Sequence, residues 1–427
     1  MKLDTVIVGG GITGGRLARE LAAAGAAALV VSAEDVPPYD RTRLSKDIFR
    51  GELAALYQAS REQTRAYDLL LGRRAVELDA GAKQLSLDDG TAISYGRLVL
   101  ATGLRPRRLE RPGHDLDGVH YLRSLRDALA IERLVDLSEP LVIIGAGLIG
   151  CEMAAALAAA ATPVVVVDSA AEPLASSVGL KVGRRIRDAH ERAGISFRTS
   201  DSVDTIVGIR RVKCVRLASG DEIPAATVVI AIGGEPETDW LAGSGMALRD
   251  GYVPVDGEYR TSLPDVYAVG DITVWTHPSW GPIHVEHESV AHAQALGLAR
   301  HFLLGERPRP ATPYAWSDQA ELRLRVIGHL SGPADASQVC TRMIDSTDTG
   351  FVAAFVRSGV VEAAASVNDD RSAALMQKLL RHGPISDSEW LAAVKLPSSK
   401  QTSPVCEPAR PDRRDASPSL AIPWSLQ

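Results

Sequence analysis

Two stretches of this chain repeat one pattern. Residues 6–18 read VIVGGGITGGRLA and residues 141–157 read LVIIGAGLIGCEMAAAL. Each is an apolar run, then Gly-x-Gly-x-x-Gly, then a run of small residues suited to a helix. In such a turn the first glycine makes the tight bend, the second lets the backbone approach a pyrophosphate, and the third lets helix and strand pack closely.

The first copy predicts a strand over residues 4–10, then Gly9, Gly11 and Gly14, then a helix through RLARELAAAG that Gly25 ends. The N-terminus of that helix offers N–H groups and a positive dipole end to phosphate. A second strand, AAALVVS, stops just before Glu34. An acid about twenty residues past the fingerprint accepts hydrogen bonds from a ribose. The second copy has the same parts: Gly145, Gly147 and Gly150, a helix from Cys151 to about Ala161, and a strand PVVVVD ending at Asp168. Two complete fingerprints imply two dinucleotides. The economical pair is a tightly held FAD and a diffusible nicotinamide, so that a hydride passes from one ring to the other.

Three further stretches read as strands returning to nucleotide-binding sheets. They are YGRLVLATGLRPR (95–107), ATVVIAIGGEPET (226–238) and TSLPDVYAVGDIT (261–273). In the last, Asp271 follows a strand and a glycine, where it can hydrogen-bond the ribityl chain of FAD or cap a helix.

Bulk properties bound the reading. At roughly 100–200 residues per domain, 427 residues suggest two or three domains. A net charge of -6 and a pI near 6.0 argue against a nucleic-acid binder, which carries a basic face. MKLDTVIVGG lacks the apolar core of a signal peptide. The apolar run from Met153 to Val167 is interrupted at Thr162 and Pro163 and falls short of the ~20 residues that span a bilayer. The expectation is a cytoplasmic protein without membrane contact. Cys151, Cys214, Cys340 and Cys406 lie far apart, with no C-x-x-C pair and no metal-ligand spacing. They read as isolated reduced thiols, and no metal site is expected.

Specific motifs carry a family resemblance: PYDRTRLSK (38–46), LVLATGLRPRRL (98–109), GVHYLRSLRDA (118–128), VIIGAGLIGCEMA (142–154), TSLPDVYAVGDI (261–272), PYAWSDQ (313–319) and VNDDRS (367–372). Over residues 1 to about 395 the chain resembles the FAD-containing, NADH-dependent ferredoxin reductases of oxygenase systems. The resemblance implies an α/β fold of glutathione-reductase type, with two Rossmann-like dinucleotide-binding domains and a C-terminal α+β domain. It suggests an FAD-binding domain over 1–112 and 246–315, an NAD-binding domain over 113–245 and a C-terminal domain over 316–395. The remainder, 396–427, is rich in Pro, Ser and Arg and reads as a disordered tail.

The same resemblance implies site residues. Lys46, Glu152 and Trp316 are the expected catalytic group. Lys46 lies near the reactive edge of the flavin, where a cation stabilises an anionic reduced ring. Glu152 pairs with that lysine, and Trp316 is the aromatic that the C-terminal domain brings to the flavin. Further FAD contacts are expected at Thr13, Arg41, Ala75, Thr102, Gly103, Arg123, Asp271 and, through its backbone, Val290. For the nicotinamide dinucleotide they are Ile149 and Gly233 beside the second fingerprint. Asp168 disfavours a 2′-phosphate, so NADH is expected over NADPH. The expected partner is a small iron–sulfur carrier, a ferredoxin or rubredoxin, served by a monomer or homodimer.

The chain also departs from the family pattern. RTRLSK replaces the common Arg-Pro-Pro-Leu-Ser-Lys, a less rigid loop. Glu286 stands where Arg is frequent, and Leu296 where Gln is. These departures keep open a flavoprotein that reduces oxygen, a quinone or a small substrate; a second alternative is an NADH-sensing flavoprotein that binds a partner. Related disulfide reductases carry cysteines beside the flavin, and RTRLSK has none, which argues against thiol chemistry on a substrate.

Overall fold

The apolar runs become the centres of two parallel sheets. The structure is a computed structural model and describes residues 3–47, 56, 66–134, 139–319, 321–330, 339–345, 350–394 and 405–406. Among these the helices are α1 (Ile12–Ala23), α2 (Leu125–Leu134), α3 (Leu148–Ala159), α4 (Ala175–Arg192), α5 (Glu288–Leu304), α6 (Asp370–Leu379) and α7 (Asp387–Val394). The chain divides into two compact units. One is Met1–Arg43, Gly51–Arg105 and Gly234–Ala311; the other is Leu44–Arg50, Pro106–Gly233 and Thr312–Gln427. The short segment carrying Lys46 thus belongs to the second unit although its sequence neighbours on both sides belong to the first.

In the first unit, strand Leu3–Val8 pairs in parallel with Leu29–Ser32 on one side and Ala92–Leu100 on the other. Asp68–Leu71 pairs in parallel with Leu29–Ser32 and Val266–Ala268 with Ala92–Leu100, while the antiparallel strands Gln84–Leu87 and Ala75–Asp79 continue the sheet from the start of Ala92–Leu100. A parallel sheet buried on both faces calls for continuous apolar strands, and Val6, Ile7, Val30, Leu98, Val99 and Leu100 are all fully buried. Helix α1 packs against α5.

The second unit repeats the plan and then adds to it. Its parallel sheet runs Ser196–Thr199, Val164–Asp168, Leu141–Ile144, Thr227–Ile230, Val119–Tyr121. The residues after Thr312 form an antiparallel sheet in which Tyr314–Gln319, Leu322–Gly328, Val360–Val367, Phe351–Arg357 and Val339–Asp345 lie side by side. Helix α3 packs on Tyr314–Gln319. The fold is therefore the mixed α/β arrangement that the two fingerprints predict, with an α+β part at its end.

Some expectations shift. Helix α1 begins at Ile12 and α3 at Leu148, ahead of the expected starts at Arg16 and Cys151. The N-cap is the middle glycine of each fingerprint, Gly11 or Gly147, so the third glycine lies inside the helix rather than before it. The expectation of four reduced thiols is corrected at Cys340, which is disulfide-bonded and stands opposite Cys406 across the pairing of Val339–Asp345 with Val405–Cys406. Cys151 and Cys214 are free. Apart from that pair of residues, the expected tail 396–427 lies outside the described residues. Among the described residues no helix is long and apolar enough to cross a membrane.

Trp390 of α7 is fully buried among Val352, Val356, Val361, Met376 and Leu380, and its indole N–H has no partner among the described residues. Trp390→Ala is expected to cost about 3–5 kcal/mol, read as an earlier far-UV unfolding transition. Trp390→Phe, which removes the unpaired donor and keeps most of the volume, is expected to cost clearly less. Equal transitions for both variants would show that packing at Trp390 does not hold this sheet.

Candidate functional site

The two glycine loops are built alike to within a tenth of an ångström. Gly9 donates to Val31 O and Ala101 to Val8 O, both at 2.8 Å; Gly145 donates to Val167 O and Ala231 to Ile144 O, also at 2.8 Å. Gly9 has φ +118° and Gly145 φ +110°. A Cβ at either would meet a carbonyl oxygen, Ala101 O or Ala231 O, at 2.2 Å. A Cβ on Gly14 or Gly150 would lie 2.0 Å from the oxygen of Gly9 or Gly145. Both loops therefore demand glycine for shape and for space. Each opens a helix whose N-cap has no side-chain hydrogen bond and whose first turn has no acid. Uncapped N–H groups at a positive dipole end, next to a cradle that admits no side chain, fit a pyrophosphate.

Around the first loop, Glu34 accepts hydrogen bonds from Tyr39 Oη at 2.8 Å and from Arg41. The guanidinium of Arg41 lies over the Tyr39 ring, 5.3 Å from its centroid. Its Nε is 3.7 Å from where a Cβ of Gly11 would stand. Burial works against its charge, yet Tyr39, Glu34 and Asp271 together hold it above the ordinary arginine range. Thr13, in the first turn of α1, meets the backbone of Gly270, where a Cβ would lie 2.5 Å from the threonine hydroxyl. That contact brings the segment carrying Asp271 against α1. Gly270 N donates to Gln294 Oε1 at 2.6 Å, while Gln294 Nε2 is buried without a partner among the described residues. Thr102 donates to Glu237 O at 2.9 Å, and Gly103 O accepts from Glu237 N at 3.0 Å. Ala75 is buried at the start of strand Ala75–Asp79, and Val290 is buried in the first turn of α5.

Around the second loop, Asp168 is held by two backbone N–H groups. One carboxylate oxygen accepts from Ala146 N at 2.6 Å, inside the glycine loop, and the other from Ala170 N at 2.7 Å. The short side chain is thereby tied to the loop, with lone pairs left for a ribose hydroxyl. Ile149, 40% exposed, faces out from the first turn of α3. Gly233, at φ +96°, accepts from Arg107 N at 2.9 Å. Arg123 precedes α2 and donates its backbone N–H to Asp127 at 3.1 Å.

Lys46, Glu152 and Trp316 come together. Glu152 is the one charged residue of α3 and is buried. Lys46 Nζ lies 3.0 Å from Glu152 Oε1 and 4.8 Å from the centre of the Trp316 ring. The carboxylate also accepts from Ser45 on Oε2 and from Ser317 on Oε1. A buried carboxylate needs such donors. Ser45 and Ser317 were not among the residues expected from the sequence. A signal for Ser317 exists: along Tyr314–Gln319 burial alternates strictly, and Ser317 and Gln319 share the buried face with Ala315 while Trp316 is on the other. Polar residues on a buried face mark a purpose beyond packing. The Cys151 thiol beside Glu152 is fully buried, which pushes its pKa far up, away from nucleophile chemistry.

The Glu286 departure has a partner. His284 Nε2 lies 3.0 Å from Glu286 Oε1 and His284 Nδ1 2.9 Å from Thr273 O, so both ring nitrogens face acceptors. Tyr252 packs against the imidazole, with ring centroids 4.1 Å apart and planes tilted by 48°. Leu296, the other departure, is a partly exposed position on α5. Burial opposes a charge on His284, but the hydrogen bond and charge of Glu286, with smaller help from Thr273 O and Asp271, together outweigh it and raise the pKa above the ordinary 6.5. A raised histidine pKa contributes stability fully below pH 6.5 and loses it as pH rises through the folded value. The melting temperature is therefore expected to fall as pH rises above 6.5, and Glu286→Gln is expected to flatten that slope. An unchanged slope in the variant would remove Glu286 as its cause.

Comparison with known proteins agrees with this geometry. Residues 3–297 match the family described as pyridine nucleotide-disulphide oxidoreductase, and residues 314–397 match the reductase C-terminal family. The "Biphenyl dioxygenase system ferredoxin--NAD(+) reductase component" of Paraburkholderia xenovorans (strain LB400) is 32% identical over 384 residues, 88% of this chain and 93% of its own. Rhodocoxin reductase of Rhodococcus erythropolis is 33% identical over 388 residues, 88% of this chain and 89% of its own. Among solved structures, the covalent putidaredoxin reductase–putidaredoxin complex superposes with a TM-score of 0.81 at 29% identity, covering 90% of this chain and 95% of that one. The two glycine loops, the parallel sheets they open and a match over most of its length place this chain in the pyridine nucleotide-disulphide oxidoreductase family, with a reductase-type C-terminal domain.

Proposed function

We propose that this protein is an FAD-dependent NADH oxidoreductase that passes electrons one at a time to a small iron–sulfur carrier, as the ferredoxin reductase of an oxygenase or cytochrome P450 system. The observation that carries this reading is the pair of matched, uncapped loops, which suit two dinucleotides rather than one. Gly9, Gly11, Thr13, Gly14, Glu34, Arg41, Ala75, Thr102, Gly103, Arg123, Asp271 and Val290 hold FAD in this reading. Gly145, Gly147, Ile149, Gly150, Asp168 and Gly233 hold NADH. A bound flavin supplies the conversion between a donor that gives two electrons together and a carrier that accepts one.

The chain's own residues bind, orient and set charge. Lys46 offers the flavin a cation, steadied by the Trp316 ring and by Glu152, whose carboxylate is in turn held by Ser45 and Ser317. Asp168 orders the loop that receives the pyrophosphate and sets a negative charge against a 2′-phosphate. In this reading no side chain needs to act as a nucleophile. The carrier is supported by the names of the relatives, ferredoxin and rhodocoxin reductases, and by the neighbour solved bound to putidaredoxin. The same reading makes the protein cytoplasmic, a monomer or homodimer, with no nucleic-acid partner.

Anaerobic titration of the purified protein tests this directly. NADH is expected to bleach the oxidised flavin band stoichiometrically, and NADPH to need roughly tenfold more, the scale of one unfavourable charge contact. A colourless protein, or a flavin that neither nucleotide bleaches, would overturn the proposal. Carrier reduction far above oxygen consumption is the second expected result; the reverse would favour an oxygen-reducing flavoprotein.

A further inference from the structure

Resting on the reading above, we infer that His190 and Gln319 are positioning residues for the Lys46–Glu152 pair: the nitrogen of His190 that carries the ring proton decides which way the Ser317 hydroxyl points. Four side chains from three elements of the second unit form an unbroken line. His190 on α4 is buried, and its Nε2 lies 2.8 Å from Gln319 Oε1. Gln319 Nε2 donates to Ser317 Oγ at 3.1 Å. Ser317 Oγ donates to Glu152 Oε1 on α3. Both Ser317 and Gln319 are fully buried.

The chemistry of each group fixes the direction. A carboxamide oxygen only accepts, so His190 Nε2 carries the proton. The Gln319 amide nitrogen only donates, so the single proton of Ser317 cannot point back to it. It goes to Glu152. Three hydrogen bonds then run one way, from the ring to the carboxylate, and bonds aligned in this manner strengthen one another in a low-dielectric interior. Burial holds the imidazole below the ordinary histidine range, so the ring is neutral near pH 7 and has one N–H to place.

The other tautomer would reverse the line. An unprotonated Nε2 accepts, Gln319 turns its amide over, and its oxygen then faces Ser317. The hydroxyl donates to Gln319, and Glu152 Oε1 loses a donor. That oxygen is the one bound by Lys46, so the lysine would carry more of its charge alone. A residue separated from Glu152 by two side chains thus sets how firmly the flavin-facing cation is held.

The test begins with the ring itself. Long-range proton–nitrogen correlation on the histidine-labelled holoprotein at pH 7.5, with His190 assigned by its loss in His190→Phe, reads the tautomer. The proton is expected on Nε2; a ring protonated only at Nδ1, or at both nitrogens, overturns the inference. Two variants then read the consequence. Gln319→Glu keeps the shape but offers Ser317 an acceptor instead of a donor, and Ser317→Ala removes the final donor. Each is expected to lower the limiting rate of flavin reduction by NADH by roughly tenfold, the scale of one hydrogen bond to a charged group. Flavin content and the NADH Kd are expected to stay within twofold of the parent. Parent-like limiting rates in both variants would also overturn the inference. A variant that loses its flavin leaves the decision to the tautomer of the parent protein. A parent protein that NADH does not reduce would instead sink the reductase reading, whatever the tautomer.

Discussion

A carboxylate taken out of water must be met by donors, and the second unit is assembled around that requirement at Glu152. An unmatched charge in such a place costs several kcal/mol, and removing one partner of a buried pair is more damaging than never having buried it. Here the donors come from far apart in sequence. Ser45 is 107 residues from Glu152 and Ser317 is 165 residues away. The consequence is a tie between α3, the segment Leu44–Arg50 and the strand Tyr314–Gln319. This explains why a short piece of chain joins the second unit while the residues on either side join the first. The lysine that the proposed chemistry needs is delivered by the same tie.

The duplicated loops show how one backbone solution is given two characters. Their hydrogen bonds and close approaches match. Their surroundings do not. The first loop has Arg41 close by, and the acid after its second strand is engaged by Arg41 and Tyr39. The second loop has no such cation in contact among the described hydrogen bonds, and its acid, Asp168, accepts from Ala146 N in the loop and from Ala170 N just past the strand. A tightly held ligand suits a site braced by side chains from several segments. A diffusible one suits a loop ordered in advance, because less conformational freedom is lost at each binding event.

Much of this was legible in the sequence because it is local. Glycine spacing, β-branched runs and the acid at the end of the following strand determine neighbours within some thirty residues, and those elements stand where the pattern puts them. The helix starts were read late because a glycine looks like a boundary, while Gly14 and Gly150 lie inside helices where a close backbone approach requires them. Lys46, Glu152 and Trp316 came from family resemblance; periodicity alone gives a surface lysine, a helix acid and a core aromatic. The residues that hold them were not legible. Ser45, Ser317, Gln319 and His190 meet only through contacts spanning more than a hundred residues, apart from the Ser317–Gln319 step. The disulfide at Cys340 was missed for a like reason: a strand pairing, not a sequence motif, sets Cys340 opposite Cys406. Glu286 departs from the family pattern in sequence, and its partner His284 is set beside it only by the fold of the Gly281–Ile283 strand and the segment that follows.

The parallel pairing of Val266–Ala268 with Ala92–Leu100 bears on how the chain is made. The first unit cannot complete its sheet until residue 268 has been synthesised, yet most of the second nucleotide-binding sheet, residues 119–230, emerges before then. On the ribosome the inserted sheet is finished while the outer one still has an open edge beside Ala92–Leu100. That edge is a strand of Leu and Val with unpaired backbone groups, the kind of surface that pairs with the wrong chain. The interval between synthesis of residue 100 and of residue 268 is therefore the time for which that edge stays open.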